Sequence, residues 1–215
     1  MDQKNKIIEP AEAFDKSAKI YQDKFMDVSL YQESFKDFND QLISDHSSIL
    51  DIACGPGNII KYILNKRPEF EILGIDISPK MLALARENNP TAQFEFMDCR
   101  QIDQISKQFD GITCGFCLPY LTIDEAVKLI SNVSGLLKPG GVFYLSTMEE
   151  DAHNKSRYQT SGTGDLVYVN YHKETILSKV LSDHRFEILS LKRFLSPPTQ
   201  DGLVTSDLVY VAKMT

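Results

Sequence analysis

The sequence predicts an α/β fold, a doubly wound and mostly parallel sheet with helices on both faces. Three features carry that expectation. Short apolar runs without polar alternation, such as "SSILDIAC" and "FEILGIDI", read as strands buried on both faces. Amphipathic stretches of helical spacing separate them. Strand and helix alternate closely enough for one helix per crossover, which gives right-handed βαβ units and a parallel sheet.

Residues 10–45 read as helical. "AEAFDKSAKIYQDKF" repeats Phe14, Ala18, Tyr21 and Phe25 at near-helical spacing, and "LYQESFKDFNDQLI" repeats Leu30, Phe35, Phe38 and Leu42. Both stripes are narrow, as in helices that cover a larger body. From Ser47 the period changes to the first buried strand. Ile59, Ile60, Ile63 and Leu64 then share one face of a helix that Pro68 stops. The second strand, "FEILGIDI", runs into Ser78 and Pro79, an N-cap followed by proline at the first helical position. "KMLALAREN" is that helix. "AQFEFMDC" and "FDGITCGFC" are the third and fourth strands, with a loop of about one helical turn between them. Thr122 and Glu125 have the spacing of a capping box at the next helix start; "KPGG" ends that helix before the strand "GVFYLST". "SRYQTSGTGDLVYVNY" reads as two extended segments around a turn. A helix, "KETILSKVLSDH", precedes two closing strands joined through "SPPTQDG", and these pair antiparallel because no helix fits between them.

A chain of 215 residues, 42% hydrophobic, fits one domain with a sizeable core. The net charge of −7, without a long Lys or Arg run, disfavours nucleic acid as a partner. "MDQKNKIIEPAEAF" lacks the apolar core of a signal peptide, and no stretch is long and apolar enough to span a bilayer. A cytoplasmic protein without membrane contact is the expectation. The four cysteines, Cys54, Cys99, Cys114 and Cys117, are too few to staple this chain. Cys114 and Cys117 lie along a strand, not at the helix N-terminus that a thioredoxin-type pair occupies, so they read as small core residues and no metal site is expected.

The chemistry concentrates in "LDIACGPGN", residues 50–58, between the first strand and the first crossover helix. Gly55 and Gly57 permit a sharp turn and close backbone approach to a ligand at the carboxyl end of the sheet. Asp76 ends the second strand, where an acid can accept from both hydroxyls of a ribose. Nicotinamide enzymes share that pair of signals. Ile60, however, stands where the dinucleotide fingerprint places its third glycine, and Asp51 would repel a pyrophosphate but attract an amine.

At these residues a family resemblance is plain. "ILDIACGPGN", "LGIDIS", "FMDC", "FDGITCGFCLPYL" and "LLKPGGVFYLST" resemble, in order, the motifs of the class I S-adenosylmethionine-dependent methyltransferases, over about residues 47–215. The resemblance implies a seven-stranded sheet of order 3-2-1-4-5-7-6 with strand 7 antiparallel. It also implies an N-terminal helical cover (1–45), a methyltransferase domain (46–215) and a substrate-side insertion (148–171). S-adenosylmethionine is the implied cofactor. Asp51 and the backbone of Ala53, Cys54, Gly55 and Gly57 would line its methionine part. Asp76 would bind the ribose, Ile77 and Met81 the adenosine, and Asp98 the adenine amino group, with Cys99 beside it. Phe116, Cys117 and Leu118 would pass near the sulfonium, and Tyr21 would lie over the cofactor. For the acceptor, a small molecule is expected, in a pocket drawing on Tyr120, Tyr158 and His172. Tyr120 and His172 are also the candidates for chemistry, although His172 could equally cap the helix after it. A nicotinamide-dependent oxidoreductase and a non-catalytic S-adenosylmethionine-binding module are the competing readings. Monomer and homodimer both remain open.

Overall fold

A computed structural model describes residues 6–196 and 204–215. The "SPPTQDG" connection lies largely outside them. Helices α1 (Pro10–Phe25) and α2 (Gln32–Asp40) precede the alternating core. That core runs β1 (Ser48–Ile52), α3 (Asn58–Lys66), β2 (Glu71–Asp76), α4 (Pro79–Asn88), β3 (Gln93–Phe96), β4 (Phe109–Gly115), α5 (Ile123–Leu136) and β5 (Leu137–Met148). A ribbon of β6 (Arg157–Thr160) and β7 (Leu166–Val169) follows, then α6 (Glu174–Asp183), β8 (Phe186–Leu195) and β9 (Ser206–Met214).

Seven strands form one sheet in the order β3-β2-β1-β4-β5-β9-β8, and β6-β7 form a separate antiparallel pair. The first five pair in parallel, whereas β9 runs antiparallel to both β5 and β8. Apart from the two inserted ribbon strands, this is the order expected from the sequence. The two faces of the sheet carry separate cores. One joins Leu50, Ile112 and Phe143 to α5 and α6 through Leu129, Ile130, Val133 and Leu177. The other joins Ile49, Ile72 and Tyr144 to α3 through Ile60 and Ile63, and to α2 through Phe35 and Phe38. β1 is buried along its whole length, as its uninterrupted apolar run requires.

The local start signals behave as read. Ser78 Oγ accepts from Met81 N at 3.1 Å, and Thr122 and Glu125 close a reciprocal capping box. The loop after β3 holds a short 3₁₀ turn, Cys99–Gln104.

Three expectations need correction. "KPGG" does not separate helix from strand, because β5 already begins at Leu137, opposite Phe109. The register then slips before Val142 meets Gly111, and Gly140 absorbs the excess chain at φ +76°. Residues 10–45 do not act as one cover. The apolar side of α2 is spent on the sheet, with the Phe35 ring stacked on Tyr144 at 4.8 Å and Phe38 fully buried. α1 instead lies against the start of α4, past the carboxyl end of β2, where Asp15 accepts from Ser78 Oγ and Lys80 N. Its Phe25, and Leu30 beyond it, are exposed rather than core.

Candidate active site

The turn between β1 and α3 is built from left-handed backbone. Ala53, Gly55 and Gly57 all have positive φ, at 55°, 54° and 79°. Gly57 N donates to Cys54 O at 2.9 Å, closing the turn, and Gly57 is then the N-cap of α3. A Cβ on Gly57 would overlap the Asn89 amide, which is nearly buried and donates to Gly57 O at 3.0 Å. The glycine there serves close packing of turn on helix rather than ligand contact. Gly55 instead faces α1, with the Tyr21 ring 3.8 Å from where its Cβ would stand.

Two aspartates bracket the turn. Asp76 accepts from Gly55 N at 2.9 Å through Oδ2 and from Ser78 N at 2.8 Å through Oδ1, so it ties the turn to the start of α4. Burial raises its pKa, and those backbone donors oppose the rise. Asp51 is 1% exposed. Its Oδ1 accepts from Thr113 Oγ1 at 2.7 Å, while its Oδ2 has no partner among the described residues. Burial pushes its pKa up to about 7; Thr113 opposes that rise and the charge of Asp76 adds to it.

Beside this turn lies a cavity of about 400 Å³. Ten of the residues nominated for the cofactor line it, Tyr21, Ala53, Gly55, Asp76, Ile77, Met81, Asp98, Cys99, Phe116 and Cys117, and so does Tyr120, nominated for the acceptor. Tyr120 meets Phe14 of α1 edge-on at 4.8 Å. Burial, with Asp76 and Asp51 nearby, pushes the Tyr21 phenol up to about 12. Asp98 both caps the 3₁₀ turn, accepting from Arg100 N at 2.9 Å, and faces the cavity. Phe116 holds φ +53° at the end of β4, pinned by Ser146, whose backbone and side-chain oxygens both accept from its N–H at 3.1 Å. Cys99 and Cys117 line the wall; contact with Cys117 and burial raise the Cys99 pKa, while contact with Cys114 and burial raise that of Cys117 against the opposing contact with Cys99.

The other nominated residues stand elsewhere. Asp51, Cys54 and Gly57 do not line the cavity, and Leu118 is fully buried in the core. His172 is not a cap of α6; that position is Lys173. The His172 ring is buried, with Nε2 2.9 Å from Leu118 O, which makes it a brace for the turn after β4. Burial lowers its pKa. Tyr158 is 50% exposed on the outer face of the ribbon, paired edge-on with Tyr168 at 5.1 Å, away from the cavity. Tyr171 faces inward, with Gln159 Nε2 donating to its hydroxyl at 2.9 Å.

Sequence reading missed the first turn of α1, where Glu9, Pro10 and Ala11 border the cavity, and it missed Arg100. Arg100 Nε donates to Glu125 at 2.6 Å and Nη1 to Asp98 at 3.3 Å. A positive residue two places after Asp98, in a chain of negative net charge, was the available signal.

A glycine turn flanked by two strand-borne acids, at the carboxyl edge of a doubly wound sheet, is the arrangement of an α/β protein that takes its ligand at the strand ends. Comparison with known proteins narrows this class. Residues 49–141 match the family described as "Methyltransferase domain". The trans-aconitate 2-methyltransferase of Variovorax paradoxus is 31% identical over 118 residues, 54% of this chain and 45% of that protein. A tRNA N(3)-methylcytidine methyltransferase of Schizosaccharomyces pombe is 30% identical over 170 residues, 72% of this chain and 50% of its own length. The chain thus spans about half the length of the curated relatives it matches. Among solved structures, the fold resembles Burkholderia thailandensis 1,6-didemethyltoxoflavin-N1-methyltransferase with bound 1,6-didemethyltoxoflavin and S-adenosylhomocysteine. The TM-score is 0.69 at 22% identity, over 95% of this chain and 87% of that one. Residues 49–141 thus carry a methyltransferase domain, set in the fold shared by solved S-adenosylmethionine-dependent methyltransferases.

Proposed function

We propose that the protein transfers a methyl group from S-adenosylmethionine to a small molecule. The observation that carries this reading is the buried Asp51 Oδ2, without a partner among the described residues, next to a glycine turn whose other acid, Asp76, lines the cavity. A buried carboxylate oxygen without a donor is costly, and an ammonium group is the partner that removes the cost. The cavity fits the remainder of the molecule. Asp76 offers free lone pairs to ribose hydroxyls, and Asp98 offers an acceptor to an exocyclic amine. Between them Ile77, Met81, Met97 and Leu121 make an apolar slot for a planar base.

When bound, S-adenosylmethionine supplies an electrophilic methyl carbon on a positive sulfur. The chain's own contribution is binding, alignment and exclusion of water. Phe116, held in its unusual backbone by Ser146, presents an apolar ring beside the turn. α1 closes over the other side with Phe14 and Tyr21. It is anchored by Asp15, whose Oδ1 accepts from Ser78 Oγ at 2.9 Å and from Lys80 N at 3.1 Å. Residues 1–45 contribute the cover through α1, and 148–171 contribute the substrate side through the ribbon, which meets the segment before α1 where Ile7 pairs with Leu166. A small acceptor is favoured over RNA because the acidic residues Glu9, Asp76 and Asp98 line the cavity and Arg100, the one cation lining it among the described residues, is already paired. Among the described residues no helix is long and apolar enough to cross a membrane.

Calorimetry with S-adenosylhomocysteine, and NADH as the control, tests the reading. Saturable heat with the first and none with the second is expected. Binding of NADH alone would return the site to the oxidoreductase alternative.

A further inference from the structure

A second buried acid lies at the same end of the sheet, outside the site described above. Because β9 runs antiparallel to β5, its first residues stand at the carboxyl end of the parallel strands. Asp207 is the second residue of β9, opposite Met148 on β5 and Phe194 on β8, and it is 4% exposed. Among the described residues its one side-chain partner is Tyr31, whose hydroxyl donates to Oδ2 at 2.7 Å. The Tyr31 ring packs on Phe116 at 5.5 Å between centroids and on Phe194 at 5.2 Å. Phe116 in turn lines the cavity. Four separate segments thus deliver an acid, a phenol and two aromatic rings to one place beside the cavity.

We propose that Tyr31 and Asp207 form the proton-accepting pair of this enzyme and that its acceptor is an uncharged aromatic hydroxyl compound, a phenol. This rests on the methyltransferase reading and names the substrate class for it. The rings of Tyr31, Phe116 and Phe194 offer apolar and edge-on contacts to an aromatic acceptor. Among the described residues, carboxylate or phosphate acceptors find no unpaired cation in the cavity wall, since Arg100 is held by Asp98 and Glu125. A phenol must shed its proton to attack well, and a positioned base supplies that. The acceptor hydroxyl gives its proton to Tyr31 Oη as the Tyr31 proton passes to Asp207. The freed oxygen lone pair forms the bond to the methyl carbon. The methyl–sulfur bond breaks and its electrons remain on sulfur, leaving a neutral thioether, a methyl ether and a protonated Asp207. Solvent takes that proton when the product leaves.

The surroundings suit the role. Burial, opposed by the Tyr31 bond, pushes Asp207 up to about 6, while burial and the Asp207 charge keep the Tyr31 phenol protonated. Tyr144 and Tyr21 are the other titratable groups acting on Tyr31, and the neighbouring Glu149 is neutralised by Arg193 at 2.9 Å. Activity should therefore fall as pH drops through about 6, where the base becomes protonated.

The test compares wild type, D207N and Y31F. S-adenosylhomocysteine binding and thermal unfolding come first; no binding by the wild type would defeat the cofactor assignment, a failure distinct from this one. 4-Nitrophenol is then titrated into the S-adenosylhomocysteine complexes. The Asp207 carboxylate disfavours a bound phenolate, so the phenolate band weakens with wild type and not with D207N. With S-adenosylmethionine and 4-methylphenol, wild type yields the methyl ether, and D207N lowers the rate about a hundredfold and abolishes the acid limb. Y31F, which keeps the ring stack, gives the same loss and covers the case in which D207N folds poorly. The proposal is overturned by an unchanged phenolate band, by no ether from wild type, or by variants that keep both rate and acid limb.

Discussion

Replacing Asp51 with asparagine should separate what the protein needs to fold from what it needs to bind. Asp51 is buried, bonded once to Thr113 and otherwise without a partner among the described residues. Folding moves its pKa from 3.8 up to about 7, chiefly through burial. The folded chain therefore holds this proton more tightly than the unfolded chain does. The resulting stabilisation is fully present below 3.8 and is lost as pH rises through about 7. Across that window the ionised carboxylate costs the ligand-free protein roughly 4 kcal/mol. Asparagine keeps an oxygen for Thr113 and never ionises. Its amide NH₂ takes the place of the orphan oxygen, at a cost of about 1–3 kcal/mol. Asp51→Asn should thus be more stable than wild type by roughly 1–3 kcal/mol near pH 8, and less stable by about 1–3 kcal/mol near pH 4. Urea unfolding of both ligand-free proteins at the two pH values measures it, and taking the difference cancels most other titrations. Saturating S-adenosylhomocysteine should stabilise wild type by about 2.7 kcal/mol at a hundredfold excess over Kd. The variant should gain far less. A difference in stability independent of pH, or full ligand stabilisation of the variant, would refute the reasoning.

Other substitutions probe the turn itself. Gly57→Ala combines left-handed strain of about 1 kcal/mol with displacement of the buried Asn89 amide, so unfolding free energy should fall by about 2–4 kcal/mol. Ala53→Gly relieves a φ of 55° and should raise stability by about 1 kcal/mol, read as a higher Tm. Asp76→Ala frees both Gly55 N and Ser78 N and should weaken S-adenosylhomocysteine binding at least about tenfold in calorimetry. Unchanged affinity there would mean that Asp76 serves the turn alone.

What the sequence disclosed follows from the range of the interactions involved. The alternation of strand and helix, the Ser78 cap and the Thr122–Glu125 box rest on neighbours within a few residues, and each stands as read. Residues lining the cavity from the glycine turn and from the ends of β2 and β4 follow from the strand ends, which the apolar runs mark. What escaped reading depends on contacts distant in the chain. Whether α2 covers a ligand or the sheet is decided by Tyr144, more than a hundred residues on, whose hydroxyl lies 3.4 Å from Ser34. The same spacing of Phe35 and Phe38 serves either arrangement. His172 shows the same limit: a histidine before a helix looks like a cap or a base, and only the fold reveals the Leu118 carbonyl beside it. Asp207 left a faint mark, an acid opening an apolar closing strand, which acquires meaning only once that strand is known to run antiparallel.

The two non-glycine residues in left-handed backbone beside the cavity explain why the site stands on the inner strands. Ala53 directly follows β1 and Phe116 directly follows β4, and those strands are hydrogen-bonded neighbours. Each such residue costs about 1–2 kcal/mol, and such strain persists only where the surroundings overdetermine it. Here they do. Cys54 N is held by Ile75 O at 2.9 Å and Phe116 N by Ser146, while Leu50, Ile52, Ile112 and Cys114 beneath are wholly buried. An edge strand such as β3, whose residues are mostly exposed, has no comparable grip. The backbone that must leave the sheet abruptly to face a ligand is therefore placed where two cores clamp it from both sides. α1, bound chiefly through Asp15 and a few aromatic edges, supplies the remaining wall.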